Sequence, residues 1–234
     1  MGKNQKEEQA KSKFGQSEKL NMSTKIMSGL VQLALTGVAV LIVFKTVQDA
    51  GIVLYTFHPT LMAIGYLILM AQGILGMSNR SICSESISHN RRVKLHWITQ
   101  TIAVILITIA QTSIFVNKNI NGYPHYQSIH SICGLVTYLM TLCGTVGGIC
   151  NNYSTSLKKF MKPVQLKVGH GFAGSLVYVL ASATICVGIN QVWGDEEDAQ
   201  IKLASIAVIL ISALYVVSAS IKTALARAAS MSKK

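Results

Sequence analysis

Charge is absent, or nearly so, from six long apolar stretches at roughly 26–47, 57–78, 95–116, 127–150, 168–190 and 202–222. Each is about 20 residues long, which is what an α-helix needs to cross a hydrocarbon core of roughly 30 Å. Apolar positions neither alternate with polar ones, as in a half-buried strand, nor keep to one stripe, as on the surface helix of a soluble domain. The pattern predicts an all-α integral membrane protein of six transmembrane helices joined by short loops. The spans use more than half the chain, which leaves no room for a separate soluble domain. Residues 1–25, rich in Lys, Glu, Gln and Ser, read as a disordered tail. Residues 26–222 form the six-helix unit, and 223–234 form a second tail. The first stretch begins too far in, and is too long, for a cleaved secretory signal.

Charge adds an orientation. Only 13% of residues are charged, against roughly 25% in a soluble domain, yet the net charge is +12. If the spans alternate in direction, all Lys and Arg except Lys45, Lys118 and Lys202 fall on one side. The positive-inside rule makes that side the cytosol and puts both termini there. Topology and anionic lipid account for the basic excess, so nucleic acid is not called for as a partner. The sequons at Asn21, Asn79 and Asn152 fall on the same side and are expected to stay unglycosylated. Cys83, Cys133, Cys143, Cys150 and Cys186 lie in spans or on the cytosolic side, so no disulfide is expected. Gly2 is not read as a myristoylation site, because Lys6 stands where Ser or Thr is wanted.

The chemistry lies in four histidines. His58, His96, His130 and His170 each open one of four consecutive spans, and an ionisable group within a span is costly enough to suggest function. Consecutive spans run antiparallel. His58 and His130 therefore share one depth near the outer face, and His96 and His170 share another near the cytosolic face. No other pairing matches depths. Two pairs of imidazoles in a four-helix core made by spans 2 to 5 suit the axial positions of two b-type haems, with the irons roughly 15–20 Å apart across the core. No Cys-x-x-Cys-His occurs, so covalent c-type attachment is excluded.

Neighbouring residues agree with this reading. Gly134 and Gly174 lie one turn below His130 and His170 on the same faces, where a flat macrocycle needs missing side chains. Gly73, Gly76, Gly144, Gly147 and Gly148 fall at the inner end. Pro59 is expected at a helix start, where its lack of an N–H is harmless. Partial positive charge at each helix N-terminus is expected to keep the ligand nitrogens unprotonated. Taken singly, each glycine also fits close helix packing, and each histidine fits a hydrogen-bonded interior residue or a proton relay.

Four segments together resemble the cytochrome b561 family. They are Phe57-His58-Pro59-Thr60-Leu61-Met62, Arg92-Val93-Lys94-Leu95-His96-Trp97, Ser128-Ile129-His130-Ser131 and Gly169-His170-Gly171. The resemblance covers roughly residues 57–189 and is closest to a short subgroup of transmembrane ascorbate-dependent reductases. It implies that 26–222 is a cytochrome b561 domain moving electrons from cytosolic ascorbate through two haems b. The acceptor on the other side would be monodehydroascorbate or a ferric chelate. It implies endomembranes, endoplasmic reticulum or vesicle, rather than the plasma membrane, and is compatible with a homodimer. His125 matches a histidine of that subgroup near the outer haem. The stretch after the second span, Ala71 to Arg80, departs from the motif that larger ascorbate-binding members carry there.

Ascorbate is an anion at neutral pH, and Arg91, Arg92 and Lys94 precede His96 while Lys162 and Lys167 precede His170. Arg92, Lys94 and Lys167 are the expected docking residues, by charge-assisted hydrogen bonds. These same residues also serve as ordinary topogenic charge. On the outer side His125 is expected to bind or protonate the acceptor, or else to anchor the interface between Tyr123 and Tyr126. The acidic run Asp195 to Asp198 reads as a solvated loop or an attractor of ferric iron. His89, in a polar loop, is given no role. Two other functions fit the same spans, a quinol-linked b cytochrome and a non-haem proton-coupled transporter.

Overall fold

The computed structural model describes residues 22–77, 87–193 and 199–232. The amino-terminal tail, Cys83, the sequon at Asn79 and the acidic run Asp195 to Asp198 lie outside the described residues. Within them are six helices long and apolar enough to cross a membrane: α1 Met22–Ala50, α2 Leu54–Met77, α3 His89–Ile120, α4 Ile129–Asn152, α5 Pro163–Val192 and α6 Ala199–Ser232. No strand occurs among the described residues. The chain is a multi-pass, all-α membrane protein, as the hydrophobic pattern predicts.

Several helices outrun their apolar stretches. Helix α3 starts at His89 and α5 at Pro163, while α6 continues to Ser232, into the segment read from sequence as the second tail. Arg, Lys, Gln and Ala are good helix formers, so the winding continues past the last apolar residue. Pro163, at the first helical position, starts α5 without losing a bond. One expectation is corrected by these starts. His96 and His170 stand two turns inside their helices, beyond the first turn in which the dipole is felt. His130, second in α4 behind the Ser128 cap, remains within it. Ser128 Oγ accepts the Ser131 N–H at 3.2 Å. Pro59 is likewise not at a helix start but sixth in α2, where the Tyr55 carbonyl loses its usual donor. A π-helical segment, Ala63–Met70, follows.

Helix α2 packs along α3, α4 along α5, α5 along α6, and α1 lies against α2 and α6. The tightest core sits between α1, α2, α5 and α6, with Leu35, Leu67, Tyr178 and Val216 all but fully buried. Ile107 of α3 reaches its edge, and a Cβ on Gly65 would stand 2.7 Å from Ile107 Cγ1. Only a glycine lets α2 and α3 approach so closely. In α4 the buried residues are just Thr137 and Thr141. Large exposed residues such as Leu33, Ile105, Leu139 and Leu214 are what a lipid-facing surface requires. Helices α1 and α6 thus flank one side of α2 to α5, whose remaining interior holds the four histidines.

Candidate functional site

The histidines meet in the two pairs that antiparallel spans demand. His58 of α2 and His130 of α4 have ring centroids 6.2 Å apart and planes at 85°. At the other end of the bundle His96 of α3 and His170 of α5 repeat this at 6.2 Å and 87°. With metal–imidazole bonds of about 2 Å, two imidazoles facing across one metal hold their centroids about 6 Å apart. The spacing fits one metal atom between each pair.

The tautomers fit as well. Nδ1 of His58 lies 3.2 Å from the Ala110 carbonyl, that of His96 2.9 Å from Gly73 O and that of His130 3.0 Å from Thr184 O. A carbonyl only accepts, so Nδ1–H donates and Nε2 keeps its lone pair for a metal. Helices α2 and α3 each hold the other's histidine through a backbone oxygen, and α5 does so for α4. The pattern breaks at His170, whose buried Nδ1 has no partner.

Nothing else in the donor set competes. Among the described residues no group of three His, Cys, Asp or Glu could hold a metal ion, whereas a zinc site needs three or four protein ligands. Two axial imidazoles suffice only where a macrocycle fills the equatorial positions. Asp49 is the only carboxylate side chain among the described residues.

Space around the pairs divides the glycines by task. A Cβ on Gly188 would lie 2.7 Å from His130 Cε1, and one on Gly148 3.2 Å from His170 Cε1. These two glycines make room for the ligands themselves. Gly76, Gly144 and Gly174 face open space, while Gly134 lines a cavity of about 280 Å³ that contains His58, His130, Lys118 and His125 and reaches Tyr66 at its floor. At Gly73 a Cβ would strike Gln100 and Thr99 of α3. Gly188 and Gln100 carry no sign of their role in the sequence, because the requirement comes from a neighbouring helix.

His125 stands where sequence reasoning puts it, in the wall of the outer cavity. It stacks on Phe115 with centroids 4.5 Å apart, and its Nε2–H donates to Asn119 Oδ1 at 2.8 Å. Lys118 Nζ donates to Pro124 O at 3.0 Å, and Tyr126 holds a left-handed φ of 54°, a strained conformation for such a side chain. The loop is therefore tied down rather than draped.

At the other end Arg92, Lys167 and Arg227 lie within electrostatic range of His89, a loose basic patch. Arg92 is one turn before His96, and its buried Nε lacks a partner, as does Asn151 Oδ1. The patch gathers two of the three expected docking residues, together with His89 and Arg227, which sequence reasoning left out. Lys94 is exposed and differs by two positions from both Arg92 and His96, so the helix turns it away from them.

Six apolar helices enclose one histidine pair near each end, an arrangement that suits a membrane cytochrome. The sequence profile of eukaryotic cytochrome b561 matches residues 57–194, and the chain belongs to that family, which implies b-type haem. It is 27% identical over 143 residues to transmembrane reductase CYB561D2 of Homo sapiens, covering 61% of this chain and 64% of that protein. It is 29% identical over 174 residues to probable transmembrane reductase CYB561D1 of Homo sapiens, covering 74% of this chain and 73% of that protein. Similarity to the transmembrane ascorbate-dependent reductase CYB561 of Bos taurus is 23% over 168 residues, covering 70% of this chain and 63% of that protein. The match thus spans just under two thirds of the CYB561D2 relative. By their names these relatives are transmembrane reductases.

Proposed function

We propose that this protein takes single electrons from cytosolic ascorbate and delivers them across the bilayer to monodehydroascorbate or a ferric chelate. His96 and His170 would hold one haem b near the cytosol, and His58 and His130 a second near the opposite face. Bound there, the haems supply the one-electron redox chemistry. The two 6.2 Å imidazole pairs at opposite ends of one bundle carry the reading.

The chain's own groups do the rest. Backbone carbonyls of Ala110, Gly73 and Thr184 fix three of the four imidazoles, so little ligand motion accompanies a change of charge. Arg92 and Lys167, with His89 and Arg227 beside them, attract the donor's negative charge, and Lys94 adds to the field from its flank. Outside, His125 and Lys118 stand at the mouth of the cavity, where a hydrogen-bonding anion is well received. The orientation follows from the Lys and Arg bias, which keeps both termini in the cytosol. Residence in endomembranes, and assembly as a homodimer, complete the proposal.

Sealed vesicles containing the purified protein, with ascorbate inside and a ferric chelate outside, provide the test. A visible spectrum with a Soret band, two haems per chain and reduction of the outer chelate are expected. A colourless protein would end the reading in favour of a proton-coupled transporter. Reduction by quinol but not by ascorbate would replace the donor.

A further inference from the structure

We propose that Tyr66, held by Thr141, is the midplane residue that couples the two histidine pairs electronically. This rests on the two-site reading just given and goes beyond it by assigning the path between the sites.

Tyr66 occupies the middle of α2. It is eight residues after His58, the outer ligand, and seven before Gly73, whose carbonyl holds the inner ligand His96 at 2.9 Å. It is 4% exposed, lies in the π-helical segment and floors the cavity that contains His58 and His130. A tyrosine hydroxyl buried at this depth needs a partner, and it finds Thr141 Oγ1 of α4 at 2.9 Å.

That bond belongs to a longer run. Thr141 Oγ1 donates to Thr137 O at 2.8 Å, so Tyr66 must be the donor to Thr141. Thr137 Oγ1 meets Thr184 Oγ1 at 3.2 Å. Thr184 spends its own proton on Leu180 O at 2.8 Å, and so accepts from Thr137. The Thr184 carbonyl in turn accepts from His130 Nδ1 at 3.0 Å. Below Tyr66, the backbone of α2 leads to Met70 O, which accepts from Gln100 Nε2 at 3.1 Å, and to Gly73 O on His96. Covalent and hydrogen bonds therefore connect the inner ligand His96 to the outer ligand His130 without a through-space gap, and Tyr66 is the only step of this run at which α2 meets α4.

One electron travels this path, supplied by the enediol donor at the inner site and passed on to the one-electron acceptor outside. The donor is oxidised to its radical and releases its enediol proton to cytosolic water, and the outer acceptor is reduced; along the path itself no bond forms or breaks, and the Tyr66 proton stays on its oxygen, because Thr141 offers only a lone pair. Tyr138 provides the contrast. It too follows its histidine by eight residues, and its hydroxyl reaches α3, the helix of His96, but its bond to Thr108 Oγ1 is 3.4 Å long against 2.9 Å for Tyr66 and Thr141, which makes it the weaker link. A purely structural polar layer would make the two tyrosines equivalent.

The test uses full-length, two-haem protein in lipid nanodiscs and follows redistribution of an electron between the haems after rapid photoreduction. Haem content, both midpoint potentials and the electron paramagnetic resonance spectra are measured alongside. Tyr66→Phe and Thr141→Val should slow redistribution several-fold, and Tyr66→Leu more, with spectra, potentials and haem content unchanged, while Tyr138→Phe, which removes the longer bond, should slow it less than Tyr66→Phe. An unchanged rate in Tyr66→Phe and Thr141→Val overturns the proposal, as does equal slowing in Tyr138→Phe. Should Tyr66→Leu not assemble, the two milder variants decide. A wild-type protein that exchanges no electron between two haems overturns this inference together with the two-site reading.

Discussion

Gly188 of α5 and His130 of α4 approach so closely that a Cβ on the glycine would sit 2.7 Å from the imidazole. No side chain fits there, and the ring cannot retreat without giving up its 3.0 Å bond to Thr184 O. Gly188→Ala should therefore displace the outer ligand at a strain of about 1–3 kcal/mol. Redox titration should show one of two haem transitions shifted or lost, the other intact. Gly148→Ala, whose Cβ would meet His170 at 3.2 Å, should act in the same sense on the inner transition and more weakly.

Replacing any one of the four histidines with Ala should halve the haem bound per chain, read by the pyridine haemochrome assay. Loss of His96 or His170 should stop reduction from the cytosolic side. Loss of His58 or His130 should leave a protein that accepts electrons there and does not deliver them. Full flux in any single variant would break the pairing.

Arg92→Ala should raise KM for ascorbate about tenfold with kcat nearly kept, as expected when a charge-assisted hydrogen bond of about 1.5–3 kcal/mol is removed. Lys167→Ala should have a smaller effect, and Lys94→Ala the smallest, since Lys94 contributes only a screened field. Raising the salt concentration should weaken the wild-type affinity and flatten the differences. Equal effects at all three positions would point to diffuse topogenic charge instead of a site.

Enlarging Gly65 tests the α2–α3 contact apart from any cofactor. Gly65→Val should overpack against Ile107 and cost about 1–3 kcal/mol, and Ile107→Ala in the same chain should return part of it. Thermal unfolding in detergent, read from helical circular dichroism, gives the comparison. Additive losses would show that the two residues do not press on one another.

Much of this arrangement was legible in the sequence, for a physical reason. A bilayer fixes span length and forces alternation, so depth along the chain becomes depth in the molecule, and the pairing of His58 with His130 and of His96 with His170 follows from sequence position alone. His125 was placed by the same logic. What was not legible depends on azimuth and on neighbours. Lys94 is nearer His96 in sequence than Arg92 is, yet helical winding turns it away. Gly188 and Gln100 answer to a ring and a carbonyl on other helices, and no local pattern announces such a demand. Helix ends also escaped, because Arg92 or Lys167 ends an apolar run without ending a helix.

Each imidazole pair joins the α2–α3 hairpin to the α4–α5 hairpin, and α4 buries little of its own surface against the rest. Were haem bound at both pairs, as proposed, α4 would be riveted to α2 at the top and α5 to α3 at the bottom. Supply of porphyrin and iron would then govern assembly as well as activity. A cell short of either would be left with α4 held by α5 and hardly by α3, open to membrane quality control, so abundance of the protein should track the haem available when it is made.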